Sequence, residues 1–284
     1  MLASVSDRDV LEVTGADATA YLQGQISQDV TTITEGSSAW SLVLAPHGKL
    51  NAWFRLHRVS DEKFFIDLEA GWAQRLADRL QRFKLRSAVE LQMLEGWRMI
   101  SLRQDGSTDS SSPQTQPPQT KLCAEFSWPG FSGTDFLGYA IEAPPNIAVD
   151  NTALEQARIL AGVPRLGQDI NENTIPAEAG AYFISQSVSF TKGCYTGQEL
   201  VARIDSRGGN VPRPLRLLIA QQSLSVGATV SYQGSAVGRV TSAASAATAP
   251  SAAQSFALAT VMRKVQPGAT VTVEGVSARL GALN

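Results

Sequence analysis

The chain has 284 residues, which is enough for two or three domains with separate hydrophobic cores. Its composition, 43% hydrophobic and 18% charged, is typical of a soluble globular protein, and the formal net charge of -2 provides no general attraction to nucleic acids or anionic membranes. This charge balance predicts no direct nucleic-acid binding and no membrane association. Because the two cysteines and two histidines lack ligand spacing, we also expect no resident zinc ion or iron-sulfur cluster.

The N-terminal residues and the low cysteine count indicate a compartment. Charged residues begin at Asp7 and Arg8, and no apolar stretch has the length of a signal peptide core or a transmembrane segment. The two cysteines, Cys123 and Cys194, fit a reducing environment. The expected location is the cytoplasm.

The first half of the chain predicts a strand-rich unit with two helices. One helix is capped by Asp17, and a second, over 71–85, carries apolar residues at helical spacing. Strands are predicted at 10–13, 40–44, 49–58, 63–68, 89–91, 97–102, 122–128 and 136–142. His57 is expected on a solvent-facing side and Cys123 as a packing residue. The polar tract 104–119 predicts a mobile loop.

The second half begins after Pro144-Pro145, which marks a boundary. Thr152 and Glu155 form a capping-box pattern for a helix that Gly162 ends. The polar stretch 169–174 favours a pocket wall over a core. From residue 215 onward, short strands separated by glycine turns predict a small antiparallel barrel, with an Ala/Ser-rich loop at 242–255.

Reactive and conformationally special residues are most concentrated between positions 192 and 199. They are Lys192, Gly193, Cys194, Tyr195, Thr196, Gly197, Gln198 and Glu199. The alternation at 188–192 predicts a strand, and 198–203 predicts a short helix in which Glu199 and Arg203 pair at i,i+4. Gly193 and Gly197 permit a tight turn between the two. The predicted motif is a strand, a loop and a helix.

Cys194 has two interpretations from its position in this motif. The start of the following helix and the charge of Lys192 both favour a reactive thiolate. A lone free cysteine is, however, more often a small buried hydrophobe. The residues alone leave both interpretations open.

Four arginines follow within fourteen residues, around the flexible pair Gly208-Gly209. They are Arg203, Arg207, Arg213 and Arg216. They form either a solvated basic loop or a clamp for an anion, because the planar guanidinium matches carboxylate or phosphate.

The segment KGCYTGQE at 192–199 resembles the signature of the YgfZ-type folate-binding proteins, relatives of the glycine-cleavage T protein that are implicated in maintaining iron-sulfur enzymes. The resemblance covers roughly residues 10 to 261. Further segments similar to those of the family are Thr14-Gly15-Ala16-Asp17, Tyr21-Leu22-Gln23-Gly24-Gln25, Ala161-Gly162-Val163-Pro164 and Ile175-Pro176-Ala177-Glu178.

The resemblance implies an α+β, three-region T-protein-like fold. Its regions would be a first α+β domain over 1–45 and 146–205 carrying the motif, a ferredoxin-like domain over 46–145, and a C-terminal antiparallel β-barrel over 206–284. The implied function is a folate-binding accessory protein for assembly or repair of iron-sulfur enzymes, with tetrahydrofolate or a derivative as cofactor and iron-sulfur client or assembly proteins as partners. Cys194 would be the reactive residue at the edge of a central pterin pocket. Arg203, Arg207 and Glu178 would bind the folate.

Two departures from the family pattern affect this expectation. Relatives that transfer an aminomethyl group have an acidic pair where this chain has 48–52, a segment without a carboxylate, so transferase activity is disfavoured. Leu160 stands where relatives place a glutamate that recognises the pterin, and Glu178 is the candidate substitute. The alternatives are a folate-dependent aminomethyl or one-carbon transferase and a non-catalytic folate-binding regulatory module, including one for tRNA modification. Whether the chain is an enzyme stays open.

Overall fold

A computed structural model describes residues 1–106, 116–145, 147–245 and 254–283. Seven strands of the described chain form one antiparallel sheet in the order β2-β3-β4-β1-β5-β7-β6. They are β1 (Leu2–Thr14), β2 (Ser38–Leu44), β3 (Leu50–Ser60), β4 (Lys63–Glu69), β5 (Glu90–Asp105), β6 (Leu122–Glu125) and β7 (Phe131–Tyr139). The strands predicted at 89–91 and 97–102 are parts of the single strand β5.

Two helices cover one face of this sheet. α1 (Ala18–Gln25) and α2 (Ala73–Phe83) bury apolar residues against β1, β3 and β4, where one face of each strand is apolar. Asp17 precedes α1 but does not cap it as predicted, because its carboxylate accepts a hydrogen bond from the Ala88 N–H at 2.7 Å. The sheet joins strands from both sides of the predicted boundary at 45/46, and the domain division stays a prediction.

The region between the sheet and the barrel is mostly helical and irregular. α3 (Asn151–Leu160), α4 (Ala181–Ser187) and α5 (Gln198–Ser206) are its helices. Asp150 caps α3 by accepting from the Ala153 N–H at 2.9 Å, so the predicted capping box is wrong. The strand predicted at 188–192 is also wrong, because the N–H of Val188 bonds to the end of α4 and that of Ser189 to Ser27.

The C-terminal strands form a closed antiparallel barrel in the order β10-β11-β8-β13-β12-β9, which confirms the predicted barrel and the α+β class. They are β8 (Leu215–Ala220), β9 (Thr229–Tyr232), β10 (Ser235–Ser245), β11 (Ser255–Val261), β12 (Thr270–Val273) and β13 (Val276–Gly281). Ser242 belongs to β10 and not to the predicted loop. The centres of the predicted loops 104–119 and 242–255 lie outside the described residues. Every helix in the described ranges is too short or too polar to cross a membrane.

Candidate functional site

A cavity of about 830 Å³ lies between the sheet, α3 and strand β10 of the barrel. Four aromatic residues form one wall: Trp40, Trp53, Phe126 and Trp128. The ring centroids of Trp40 and Trp53 are 4.2 Å apart in a stacked arrangement, and Phe126 lies 5.1 Å from Trp40. Aromatic walls of this kind suit a flat, partly apolar ligand, whose rings can stack on them.

Arg103 brings a buried positive charge to the aromatic wall. Only 1% of the residue is exposed, and its guanidinium carbon lies 4.5 Å from the Trp128 ring centroid. One guanidinium nitrogen pairs with Asp135 at 2.8 Å, but Nε has no hydrogen-bond partner among the described residues. The indole N–H of Trp40 is also buried, and within the described part of the chain nothing accepts its hydrogen bond. Because unpaired buried donors are costly, these two groups favour a ligand that accepts hydrogen bonds.

Paired charges lie beneath the cavity. Asp67 lies 2.7 Å from Arg8 and 3.0 Å from Arg55, and Arg55 also pairs with Asp135 at 2.8 Å. Burial alone would raise the pKa of Asp67, but Arg55 and Arg8 hold it well below its usual value. We call Arg8, Arg55, Asp67, Asp135 and Arg103 the ionic floor. Its charges are paired inside the protein, so they position Arg103 rigidly.

His57 is attached to the ionic floor, and its predicted solvent-facing position is wrong. It is 3% exposed, and its Nε2 lies 2.5 Å from the Asp67 carboxylate. Burial lowers the pKa of His57. The error arose because both faces of β3 are covered, so alternation along the strand did not identify a wet face.

The opposite wall of the cavity carries a carboxylate on α3. Glu155 accepts hydrogen bonds from Arg158 at 2.7 and 2.9 Å and pairs with Arg165 at 2.7 Å. Burial would raise the pKa of Glu155, but these two arginines lower it. Arg158 also contacts Asp169 at 2.8 Å and donates to Ser242 of β10 at 2.8 Å. The wall that carries Glu155 is therefore tied to the barrel.

Lys192 anchors the segment 192–199, which we call the signature loop. Its ammonium donates to the backbone carbonyls of Gln23 and Ile26 at 2.7 Å and of Gln28 at 2.9 Å. All three donors of the side chain are thus used by the last turn of α1 and the segment that follows it. Burial lowers the pKa of Lys192 to about 8. The lysine positions the loop.

Glycine is required where the signature loop packs on the turn between β2 and β3. Gly197 has φ +83°, and a Cβ there would lie 2.5 Å from the Ala45 carbonyl oxygen. Gly48, on the turn itself, has φ +81°, and a Cβ would lie 2.3 Å from Cβ of Leu200 in α5. Gly193 instead faces open space. The close approach of α5 to the turn depends on the first two glycines.

The other signature residues divide between core and surface. Tyr195 is 8% exposed in the same apolar cluster as Trp53, and its N–H donates to the side chain of Gln198 at 3.2 Å. Glu199 is exposed, and the predicted pairing with Arg203 is wrong, because no ion pair between described residues joins them. The loop is therefore held by Lys192 and Tyr195.

Both cysteines are exposed. Cys194 is therefore accessible, as a reactive role needs, although it is not among the residues that line the cavity. Cys123 lies on the outer face of the edge strand β6, so the prediction that it packs inside is wrong. Partial burial of its thiol and the nearby Glu125 raise the pKa of Cys123. Among the described residues, no three His, Cys, Asp or Glu side chains are arranged to hold a metal ion.

Comparison with known proteins identifies the family. No family model matches the chain. It is 32% identical over 231 residues to an uncharacterized protein of Haemophilus influenzae, covering 81% of this chain and 78% of that protein. It is 27% identical to the tRNA-modifying protein YgfZ of Yersinia pseudotuberculosis, covering 74% of this chain and 68% of that protein. The chain belongs to the YgfZ/IBA57 family.

Two further similarities concern a more distant relative and the fold. A mitochondrial iron-sulfur cluster assembly factor IBA57 homolog of Chaetomium globosum is 27% identical over 73% of this chain. The chain spans only 53% of the length of that relative. The aminomethyltransferase T of the glycine cleavage system from Bartonella henselae superposes with a TM-score of 0.73 at 17% identity, covering 99% of this chain and 86% of that one. The predicted T-protein-like fold is confirmed.

The residues that the YgfZ resemblance predicts to bind folate lie outside the large cavity. Arg203 and Arg207 are exposed near the end of α5, and Leu160 is 39% exposed. The two carboxylate oxygens of Glu178 accept from the N–H groups of Ile175 at 3.1 Å and Arg213 at 3.2 Å. Their role in folate binding stays a prediction, and Glu178 is already used to fix the backbone.

Sequence reasoning missed the residues that do line the cavity. The aromatic wall and Arg103 are spread over four strands or loops that are distant in the chain. One signal was present: Arg55 and Asp67 are charged positions with an apolar residue on each side in the sequence. Charges of both signs at such positions indicate buried pairing.

Proposed function

We propose that this chain is a folate-binding accessory protein that supports the assembly or repair of iron-sulfur enzymes. The observation that carries the proposal is the large cavity, with its aromatic wall and the two unpaired donors of Trp40 and Arg103. The names of the IBA57 and YgfZ relatives supply the biological context, since they refer to iron-sulfur cluster assembly and to tRNA modification.

The cavity residues fit a folate. Pterin and aminobenzoyl rings are flat and would stack on Trp40 and Trp128, while Nε of Arg103 would donate to a ring acceptor. Arg165, whose side chain is 40% exposed, pairs with Glu155 at 2.7 Å and would hold this carboxylate in place at the cavity rim. Glu155 would accept from the pterin amino group, a role that the sequence assigned to Glu178. Bound tetrahydrofolate would supply a reduced pterin able to carry a one-carbon unit.

Cys194 has a separate role in this proposal. Its exposed thiol would contact a client or assembly protein, because a residue on the surface can reach another protein. Lys192 and Tyr195 hold the loop that presents it. Tyr195, the residue after Cys194, lies in the same apolar cluster as Trp53 of the cavity wall.

A one-carbon transferase is the alternative enzyme function. The YgfZ resemblance places the acidic pair of the transferases at 48–52, where this chain has Asn51 and no carboxylate. An amide oxygen cannot take a proton at neutral pH, so the accessory function is favoured. A regulatory role in tRNA modification is the second candidate, because the YgfZ relatives carry that name.

Binding of tetrahydrofolate, measured by calorimetry, tests the proposed cofactor. Trp128→Leu removes part of the aromatic wall and should weaken binding about tenfold, since stacking contributes roughly 0.5–1.5 kcal/mol beyond the buried area. Phe190→Leu is the control, because Phe190 is 51% exposed and lies outside the cavity. No binding by the wild type, or equal binding by both variants, contradicts the proposal.

Complementation tests the proposed role of the thiol. In a strain that lacks its own homologue, wild type and Cys123→Ala should restore the activity of an iron-sulfur enzyme, whereas Cys194→Ala should not. If Cys194→Ala also restores the enzyme activity, the thiol is not needed, and the protein would act as a binding module without thiol chemistry. Turnover of a one-carbon unit with an amine donor would instead support the transferase.

A further inference from the structure

A second cavity, of about 210 Å³, lies where one end of the barrel meets residues 177–181. It shares no lining residue with the large cavity. Its side chains include two arginines, Arg216 and Arg263, and the amide of Asn210. It is therefore a small, cationic cavity that the proposed folate function does not use.

Arg216 occupies an unusual position for a charged residue. It belongs to β8, in which Leu218 and Ala220 point into the barrel core. Because side chains alternate along a strand, Arg216 lies on the same inward side, at the end of the barrel. Its Nε is buried and has no hydrogen-bond partner in the part of the chain that the structure describes, and burial lowers the pKa of Arg216.

No carboxylate compensates these arginines. Neither Arg216 nor Arg263 takes part in any ion pair between residues that the structure describes. The ionic floor of the large cavity shows the opposite arrangement, since Asp67 and Asp135 accompany its arginines there. Burial removes hydration from the guanidinium of Arg216, so an oxyanion bound in the cavity that Arg216 and Arg263 line would stabilise it.

We propose that Arg216 and Arg263 form a binding site for a phosphate group. A phosphate carries about 1.5 to 2 negative charges at neutral pH, which balances two guanidiniums better than one carboxylate does. The fork of arginine donors matches its oxygens. Since a water molecule takes about 30 Å³, a cavity of 210 Å³ has room for a phosphate group and a few waters. The phosphate is either inorganic or the end of a phosphomonoester.

Calorimetry with inorganic phosphate in a chloride buffer tests the site. The wild type should bind, and Arg216→Gln should bind at least tenfold more weakly, because a charge-assisted hydrogen bond is lost. Arg263→Gln should also weaken binding. Arg239→Gln is the matched control, since Arg239 is an exposed barrel arginine outside this cavity and should leave binding unchanged.

A second titration, with glycerol phosphate, distinguishes the sources of the phosphate. Tighter binding than inorganic phosphate would indicate a phosphomonoester, and binding of inorganic phosphate alone would indicate the free ion. The proposal is overturned if the wild type binds neither inorganic phosphate nor glycerol phosphate. It is also overturned if both Arg216→Gln and Arg263→Gln bind phosphate as well as the wild type does. Circular dichroism checks the fold of Arg216→Gln. If this variant does not fold, phosphate binding by Arg263→Gln alone decides the test, because Arg263 is exposed.

Discussion

The ionic floor and the signature loop are both polar, but the polar groups of the floor are buried and paired, whereas several of those in the loop are exposed to solvent. In the floor, Asp67 has no exposure and lies within 3.0 Å of two arginines. In the loop, Cys194 and Glu199 face solvent, whereas Lys192 and Tyr195 are anchored. Buried charges interact strongly and must be paired, whereas exposed groups are screened by water. The floor should therefore govern stability, and the loop should govern reactivity.

The strongest test of this difference is Asp67→Asn. The variant removes a negative charge between Arg8 and Arg55 and leaves both guanidiniums buried, so we expect a loss of about 3–5 kcal/mol in the free energy of unfolding. Urea denaturation measures it. Asp61→Asn is the control, because Asp61 pairs with Arg58 at the surface and should change stability by less than about 1 kcal/mol. Equal effects of the two substitutions would contradict the importance of burial.

The acid dependence of stability provides the second test. The pKa of Asp67 and of Asp135 is lowered in the folded protein, where arginines oppose the effect of burial. Their contribution to stability is complete above the unfolded value of about 3.9 and is lost as pH falls below it towards the folded values. Urea midpoints should therefore fall in strong acid, with a smaller slope in Asp67→Asn. An unchanged slope would show that other groups cause the acid unfolding.

Lys192→Met tests the anchor of the signature loop. Three carbonyls lose their donor, so we expect a loss of about 1–3 kcal/mol at neutral pH. Because the folded pKa of about 8 lies below the ordinary 10.5, the unfolded chain binds more protons between these values, and wild-type stability should gain a contribution there as pH rises. The variant should lack this contribution. Lys264→Met, at an exposed lysine, should keep it.

The smallest expected effect concerns the two thiols. Both are exposed, but the pKa of Cys123 is raised, which leaves less thiolate at neutral pH. Cys194 should therefore react with iodoacetamide severalfold faster than Cys123 in the folded protein, as measured by mass spectrometry of the two peptides. Cys194→Ser should retain only the slow reaction. Faster alkylation of Cys123 would remove this distinction between the sites.

Local patterns predicted much of the fold. Helical spacing located α2, the sequence after Gly197 located α5, and strands between glycine turns predicted the barrel. Failures occurred where tertiary contacts replaced a local rule. The segment 188–192 alternates like a strand but is not part of a sheet. The N–H of Ser189 bonds to the carbonyl of Ser27, which lies in the segment after α1 and not in a strand.

The sequence alone indicated the family, through the resemblance of KGCYTGQE to the YgfZ-type signature, in which only a residue that tolerates a positive φ fits at Gly197. Only the tertiary structure decided what the charged residues do. Arg55 and Asp135 are 80 residues apart, and Arg8 and Asp67 are 59 apart, yet each pair is buried in contact. No local pattern encodes such a pairing, since it exists only once the sheet brings distant strands together. The cavity above it has the same origin.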